Sequence, residues 1–335
     1  MIEKFINSPD RLTAELLEGY VMAYSDQVAI GGKNMIVRAH AKSDDKVAIV
    51  TLGGSGHEPA LSGFVGEGML DCCVVGDIFA TPGAQRVFQA LQLFKREAGT
   101  LLIVLNHSGD VMSANVALQL AGRVGLNVKS ILTHDDISAG LNAADGDRRG
   151  LAGCIPMIKI VGAAAEEGKS LDEIIVIGER FGSRLATLAV AMKSCTHPQN
   201  GFTITDLPKG EIEIGMGQHG EGGGRRTQLA SADEVAKEMV TLLMKKLHPK
   251  MGDKAMLIIN GVGATTYMEM NIVYRKAHQM LENAGIEVAS SRIGELLTVQ
   301  EQAGFQMILA LLDDDHLDYL NNKQSNAPYW VTIGK

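Results

Sequence analysis

The sequence predicts an α/β fold of two subdomains, each a mixed β-sheet flanked by helices. Hydrophobic runs of strand length alternate with short polar loops and with stretches of helical periodicity. The chain has 335 residues, enough for two domains, and 46% of them are hydrophobic. It contains 38 Gly but only 8 Pro, a balance typical of tight strand–loop transitions rather than of disorder. We place the boundary at residue 190, with an N-terminal subdomain over 1–190 and a C-terminal subdomain over 191–335.

The N-terminal subdomain is predicted to begin with a helix over 8–28, which opens at Ser8 and carries its leucines on one face. Buried strands and helices then follow one another. The predicted strands cover 46–52, 72–76, 101–105 and 128–132, and the predicted helices cover 84–97, 111–124, 150–167 and 171–192. Ligands of open α/β sheets bind at the carboxyl ends of the strands, so the polar residues there are the first candidates for a site.

The C-terminal subdomain is predicted to begin with a half-buried strand over 211–215, which leads into the glycine-rich stretch 215–226. Glycine at this density allows positive φ and lets another molecule approach the main chain closely. The one histidine of this stretch, His219, is therefore expected to face a ligand. The remaining predicted elements are a helix over 231–247 capped by Ser231, a strand over 254–259, a helix over 267–284, and strands over 304–312 and 329–333.

Composition argues against several classes of protein. The net charge is −8 and no basic block is present, so binding to nucleic acid is not expected. The longest apolar runs, such as 101–105, have strand length and are too short to span a bilayer. The four cysteines form no C-x-x-C pair and no signal peptide opens the chain. We therefore expect a cytoplasmic protein with reduced cysteines and no membrane segment.

Imidazole and carboxyl groups occur in three loops that follow predicted strands. His57 lies within the glycine-rich stretch 53–59, His107 and Asp110 follow the strand that ends at residue 105, and His219 lies in the stretch described above. Because the first two strands belong to one predicted sheet, we expect His57, His107 and Asp110 to share a crevice.

Three chemistries fit this set of groups. A metal site would use the histidines and Asp110, although none of the usual two-histidine spacings is present. A hydrolase would use Ser55 as its nucleophile, although the surrounding stretch lacks the G-x-S-x-G elbow. Acid–base work on a small polar substrate would use one histidine to bind and a His/Asp pair to move protons. The stretch around Ser55 also matches neither a P-loop nor a dinucleotide fingerprint, and composition alone does not rank the three.

Taken together, the motifs resemble the substrate-binding K subunit of dihydroxyacetone kinases. The matching segments are Gly-Gly-Ser-Gly-His-Glu-Pro at 53–59, N-x-[ST]-G-D at 106–110, Arg-Arg-Gly at 148–150, Gly-x-His-Gly-Glu at 217–221 and Asn-Gly-x-Gly at 260–263. Their order and approximate spacing agree over the whole chain. Each motif is weak alone, whereas the combination is specific.

The resemblance implies a mechanism. His219 would attack the ketone carbonyl through Nε2 and hold the substrate as a covalent hemiaminal. His57 and Asp110 would hydrogen-bond the substrate, and one of them would act as base on the hydroxyl that receives phosphate. The substrate contacts that the resemblance implies are Gly54, Ser55, Gly56, His57, His107 and Asp110.

The resemblance also implies partners. No nucleotide-binding, cofactor-binding or metal-binding residues are expected on this chain, because phosphoryl transfer would use ATP or ADP with Mg²⁺ on a separate L subunit. A phosphocarrier of the phosphotransferase system is a further expected partner, and a homodimer is the expected assembly.

Two departures from the family pattern leave the substrate open. Leu105 stands where many members have Lys, and His107 stands where they have Tyr. Besides dihydroxyacetone, a four-carbon ketose such as erythrulose therefore stays a candidate. A third reading is a coactivator that binds dihydroxyacetone for a transcription regulator without catalysing phosphoryl transfer.

Overall fold

The computed structural model describes residues 4–221 and 224–334 and divides them into two compact units. The first unit comprises residues up to 133 together with 154–180 and the segment that begins at 318. The second comprises 134–153 and 181–317. Each unit contains one six-stranded sheet with parallel and antiparallel neighbours, flanked by helices. The fold class expected from the sequence is therefore confirmed.

The units are interleaved along the chain, which differs from a single boundary at residue 190. Residues 134–153 precede that boundary and yet belong to the second unit, and the strand at 185–193 of the same unit crosses it. The C-terminal segment returns to the first unit, where the amide of Asn326 donates to the carbonyl of Glu67 and that of Tyr329 donates to the carbonyl of Gly63. Such returns of the chain leave no composition shift for sequence reasoning to detect.

The sheet of the first unit has the strand order β1-β2-β4-β3-β5-β6. Strands β4, β3, β5 and β6 run parallel to one another, whereas β2 is antiparallel to both β1 and β4. The elements are α1 (Leu12–Ala23), β1 (Val28–Gly32), β2 (Met35–Arg38), β3 (Ala48–Ser55), β4 (Cys72–Ile78), α2 (Ala84–Leu93), β5 (Thr100–Leu105), α3 (Ser108–Arg123), β6 (Val128–Thr133) and α4 (Cys154–Glu166). Aliphatic side chains of the sheet pack against α2 and α3, and every residue of α4 from Cys154 to Ala165 is buried.

The sheet of the second unit has the order β11-β10-β12-β7-β8-β9, and only β10 and β11 are parallel. Its core lies between this sheet and helices α6 and α7. The elements that complete the chain are α5 (Leu171–Gly182), β7 (Leu185–Lys193), β8 (Glu211–Ile214), β9 (Arg225–Gln228), α6 (Ala232–Leu247), β10 (Lys254–Gly261), α7 (Tyr267–Asn283), β11 (Glu287–Gly294), β12 (Ala303–Leu312), α8 (Asp314–Asn321), β13 (Ser325–Ala327) and β14 (Trp330–Thr332).

Two predicted helices were too long. The helix expected over 171–192 ends at Gly182, and the chain continues as strand β7. Seven consecutive residues of β7 are buried, because the strand lies inside the sheet between β12 and β8. A strand buried on both faces lacks the alternation that distinguishes it from a helix. The helix expected over 8–28 is α1, and the chain enters β1 at Val28.

No helix in the described part of the chain combines the length and the apolar character that a membrane crossing requires.

Candidate functional site

In the first unit, three neighbouring parallel strands end at one edge of the sheet. Strand β3 lies between β4 and β5 and is parallel to both, so the loops that follow the three strands lie side by side. This edge is where open α/β sheets bind their ligands. The loop after β3 carries His57, the loop after β4 carries Thr81, and helix α3 begins just after β5.

The loop after β3 fits closely against the chain that follows β4. Gly56 has φ +98°, and a Cβ there would lie 2.8 Å from the ring of Phe79. A Cβ on Gly54 would lie 2.9 Å from the main-chain nitrogen of Ala80. Neither contact leaves room for a side chain, which explains the glycines on both sides of Ser55.

Ser55 is 2% exposed and its hydroxyl faces the protein interior. Its Oγ lies 2.9 Å from Oγ1 of Thr13 and donates to the carbonyl of Gly76 at 3.0 Å. These partners join the end of β3 to α1 and β4. The hydroxyl therefore has a structural role in this arrangement, and the hydrolase chemistry considered from the sequence gains no support.

His57 is 3% exposed and lies beside an aromatic ring. The centroids of His57 and Phe79 are 5.0 Å apart, with the ring planes tilted by 41°. Next to it, both oxygens of Glu58 accept the amide N–H of Gly56, at 2.9 and 3.1 Å. Burial raises the pKa of Glu58. The loop thus holds the imidazole with an aromatic contact on one side and a hydrogen-bonded turn on the other.

Asp110 lies in the first turn of α3, where the helix dipole favours a negative charge. Its Oδ1 accepts the hydroxyl of Thr81 at 2.6 Å, and the side chain is 7% exposed. Burial raises the pKa of Asp110, while the Thr81 hydrogen bond and the nearby His107 act in the opposite direction. A carboxyl group whose pKa is raised is a stronger base than an exposed aspartate, as a proton-transfer group requires.

His107 caps the same helix and is half-buried. Its amide donates to the carbonyl of Leu105 at 2.7 Å, and the amide of Asn106 donates to the carbonyl of Thr133 at 3.1 Å. The loops after β3 and β5 therefore lie at the same edge of the sheet, with His57 after the first strand and His107 and Asp110 after the second. That these three residues share a crevice stays a prediction. Phe79 and Thr81 lie on the loop after β4, and neither was predicted as a site residue.

In the second unit, His219 lies in the loop that follows β8. The loop begins at Gly215, which has φ +95° and whose amide donates to the carbonyl of Ala189 at 2.7 Å. Its other end is closed by a bond from the amide of Gly217 to the carbonyl of Glu221, at 2.9 Å. Of the glycine-rich stretch predicted from the sequence, Gly222 and Gly223 lie outside the described residues.

The side chain of His219 is 34% exposed and has a carboxylate beside it. Oε2 of Glu221 accepts the amide N–H of His219 at 2.7 Å and lies 3.9 Å from its Nδ1. The contact at 2.7 Å is a hydrogen bond, whereas the separation of 3.9 Å is too long for one and leaves only an electrostatic interaction. The imidazole is thus accessible, with a negative charge next to Nδ1.

Arg149 connects this loop to a buried carboxylate. Its Nε donates to Oδ2 of Asp136 at 2.8 Å, and its Nη2 donates to Oγ of Ser138 and to the carbonyl of Gly215, both at 2.9 Å. Its Nη1 donates to Oε1 of Glu221 at 3.1 Å. Arg149 and Glu221 lie in the sequence motifs at 148–150 and 217–221, and no role was predicted for either. The position of Glu221, a carboxylate two residues after His219, is the sequence feature that could have predicted its role beside the imidazole.

The fold and these side chains define a two-unit α/β protein with buried acid–base groups at a sheet edge and an accessible imidazole on a separate loop. Residues 18–328 of the chain match the sequence profile of the Dak1 domain family. The chain belongs to this family, which includes the substrate-binding K subunits of dihydroxyacetone kinases, and the resemblance seen in the sequence is confirmed.

Relatives in the family have several named activities. The chain is 36% identical over 315 residues to the dihydroxyacetone-binding subunit of PTS-dependent dihydroxyacetone kinase 1 from Listeria innocua, and the match covers 94% of this chain and 95% of the relative. It is 35% identical to an L-erythrulose kinase from Pectobacterium atrosepticum, of which the match covers 53%.

Two solved structures have the same fold over nearly the whole chain. A dihydroxyacetone kinase operon co-activator superposes with a TM-score of 0.89 at 32% identity, covering 95% of this chain and 98% of the co-activator. The dihydroxyacetone kinase of C. freundii, in complex with AMP-PNP and Mg²⁺, superposes with a TM-score of 0.89 at 30% identity, covering 100% of this chain and 62% of that one.

Proposed function

We propose that this chain is the dihydroxyacetone-binding subunit of a dihydroxyacetone kinase. It holds the ketose as a hemiaminal on His219 while a separate L subunit delivers the phosphoryl group to the terminal hydroxyl. The observation that carries the proposal is the accessible imidazole of His219 with the carboxylate of Glu221 at 3.9 Å from Nδ1. The full-length match to dihydroxyacetone-binding subunits supports it.

The covalent step uses the neutral imidazole with its proton on Nδ1. The lone pair of Nε2 attacks the carbonyl carbon, a carbon–nitrogen bond forms, and the electron pair of the C=O bond moves to oxygen. The oxygen takes up a proton and Nδ1 releases one, so the hemiaminal is neutral overall. The ring is positively charged in between, and Glu221 stabilises that charge. Glycerol has no carbonyl, so it forms no such adduct.

The phosphoryl step requires a base at the terminal hydroxyl. Asp110 suits this role because burial raises its pKa and Thr81 fixes its orientation. We assign to His57 the role of hydrogen-bonding the substrate. Substrate contacts from Gly54, Ser55, Gly56 and His107 complete the proposal, with Ser55 contributing main-chain atoms because its hydroxyl is bonded to the protein.

Nucleotide and Mg²⁺ are assigned to the L subunit. The kinase of C. freundii, which is longer than this chain, was solved with AMP-PNP and Mg²⁺, and the Listeria relative is named as PTS-dependent. Two phosphoryl donors are compatible with these relatives. One is ATP bound to an L subunit, and the other is ADP that is rephosphorylated by a phosphocarrier of the phosphotransferase system. We further propose a homodimer in the cytoplasm, where its four buried cysteines remain thiols.

Two other functions have a specific observation in their favour. The similarity to an L-erythrulose kinase favours a four-carbon ketose as substrate. The similarity to a kinase operon co-activator, which extends over nearly the full length of both chains, favours ketone binding without phosphoryl transfer.

A turnover assay with partner proteins tests the proposal. The chain is combined with an L subunit and ATP, or with an L subunit and the phosphotransferase components, and offered dihydroxyacetone or erythrulose. Phosphorylation of dihydroxyacetone in preference to erythrulose supports the proposal, and the reverse preference favours the four-carbon alternative. Adduct formation without turnover in any combination favours the co-activator. Mass spectrometry of the His219→Ala variant tests the covalent step, because an adduct that survives this substitution contradicts the assignment.

A further inference from the structure

We propose that Arg149 is a positioning residue that sets the place and orientation of His219. The inference rests on the proposed function, in which His219 must meet a carbonyl carbon along a defined direction. It goes beyond that function because Arg149 belongs to a different segment of the chain and acts through Glu221 and the main chain of the loop.

The guanidinium group holds both ends of the loop that carries His219. At the start, its Nη2 donates to the carbonyl of Gly215 at 2.9 Å. At the end, its Nη1 donates to Oε1 of Glu221 at 3.1 Å. The other oxygen of the same carboxylate accepts the amide of His219 at 2.7 Å. The guanidinium group of Arg149 is therefore hydrogen-bonded to the chain both before and after His219, at Gly215 and at Glu221.

Arg149 is itself held in place. Its Nε and Nη2 lie 2.8 and 2.7 Å from Oδ2 of Asp136, a residue that is only 1% exposed. The Asp136 carboxylate also accepts the amide and the hydroxyl of Ser138, at 2.9 and 2.8 Å. A fork of N–H donors on one rigid plane makes this arrangement possible, and the ammonium of lysine offers its donors from a single nitrogen.

The packing leaves the loop little freedom. A Cβ on Gly217 would lie 2.0 Å from the carboxyl carbon of Glu221 and 2.3 Å from Nη1 of Arg149. The hydroxyl of Thr205 donates to the carbonyl of Gly220 on the other side. A displacement of a reacting group by about 1 Å can cost about 100-fold in reaction rate, so an anchor of this kind is expected to control adduct formation.

Arg148 provides a matched control. It is the preceding residue, is 4% exposed, and donates to Oδ1 of Asp145 at 2.6 Å. It lies 2.8 Å from Nδ1 of His134. Both of these contacts lie outside the loop of His219, so removal of Arg148 tests for general damage to the same segment.

The experiment measures the dissociation constant of the dihydroxyacetone adduct by titration and mass spectrometry for wild type, Arg149→Ala, Arg149→Lys and Arg148→Ala. Thermal unfolding is followed in parallel. We expect Arg149→Ala to raise the constant by about 10–100-fold, Arg149→Lys to restore only part of the loss, and Arg148→Ala to bind as wild type does. Millimolar guanidinium is expected to rescue Arg149→Ala, since it refills the position of the lost group.

A wild-type-like constant for Arg149→Ala, or equal losses in the Arg148 and Arg149 variants, would overturn the inference. If wild type itself forms no adduct, the proposed function fails instead. Should Arg149→Ala not fold, Arg149→Lys decides, because it keeps the positive charge beside Asp136 while offering its donors from a single nitrogen. A wild-type-like constant for Arg149→Lys would then overturn the inference.

Discussion

The hydroxyl of Thr81 donates a 2.6 Å hydrogen bond to Oδ1 of Asp110 across two loops of the first sheet. Thr81 follows β4 and Asp110 lies at the start of α3, after β5. The carboxyl group is therefore both buried and oriented. These two properties act on its pKa in opposite directions, and burial has the larger effect.

Replacing Thr81 by valine tests whether this bond tunes the proposed base. The hydrogen bond lowers the pKa of Asp110, so its loss raises that pKa further. A larger share of Asp110 is then protonated at any pH on the acid side of its titration. We expect the acid limb of the pH–turnover profile to move to higher pH, so that turnover at a fixed pH on that limb falls. Thr81→Ser, which keeps the donor, should behave as wild type, and equal profiles for the valine and serine variants would contradict this.

Asp110→Asn separates chemistry from ketone binding. If Asp110 is the base, turnover should fall by about 10²–10⁴-fold, while adduct formation on His219 continues. Steady-state kinetics with the partner subunit and mass spectrometry of the isolated chain measure the two effects. Loss of the adduct together with turnover would instead assign Asp110 to substrate binding.

The same substitution should change how stability depends on pH. Because the folded-state pKa of Asp110 is raised above its unfolded value, the folded protein holds this proton more tightly. Stability is then lost as pH rises from the usual aspartate range through the folded pKa. Chemical denaturation at several pH values should show this decline in wild type and a smaller one in Asp110→Asn. Parallel curves for the two proteins would show that Asp110 does not contribute to the decline.

Sequence patterns predicted the strands and helices whose hydrophobic residues recur with a clear period, and the helices that begin with a recognisable N-cap residue. Ser231 caps α6 with a full capping box, as its position before a helical pattern indicated. Strand β7 was taken for a helix because burial on both faces removes the alternation of a strand. The edge strand β9 was missed because its four residues are all polar and carry no hydrophobic pattern.

For the candidate site, sequence reasoning proposed the groups that would carry the chemistry and gave no role to the residues that hold them in place. His57, Asp110 and His219 stand out because imidazole and carboxyl groups among glycines are conspicuous. Thr81 and Arg149 act through contacts with residues far away in sequence, such as the 2.9 Å bond from Arg149 to the carbonyl of Gly215. Such pairings depend on the folded topology, which composition and spacing do not specify.

The first unit contains a buried ion-pair network from which one partner cannot be removed without a loss of stability. Asp71 is fully buried and accepts from Nη1 of Arg38 at 3.1 Å, from Nζ of Lys42 at 2.9 Å and from the amide of Ile49 at 2.8 Å. Asp71→Asn leaves two buried cations with one fewer anion, and we expect it to lower the free energy of unfolding by about 3–5 kcal/mol.

Urea denaturation followed by circular dichroism measures this loss. Asp44→Asn is the control, because Asp44 is 98% exposed and its nearest cationic atom, Nε of Arg96, is 3.9 Å away. The control should unfold at the same urea concentration as wild type. A similar midpoint for the Asp71 variant would show that the network contributes nothing net.

Gly217→Ala should disable the loop of His219 without unfolding the second unit. The added methyl group would overlap the carboxylate of Glu221 and the guanidinium of Arg149, at 2.0 and 2.3 Å. Both side chains are partly exposed, so they can move aside, and the anchor on His219 is lost when they do. We expect about 10–100-fold weaker adduct formation with a small change in melting temperature. Gly146→Ala, which adds a methyl group with no atom within 4 Å, is the control and should bind as wild type does. If the Gly217 variant matches this control in adduct formation, the loop tolerates movement of its anchors and His219 needs no fixed position.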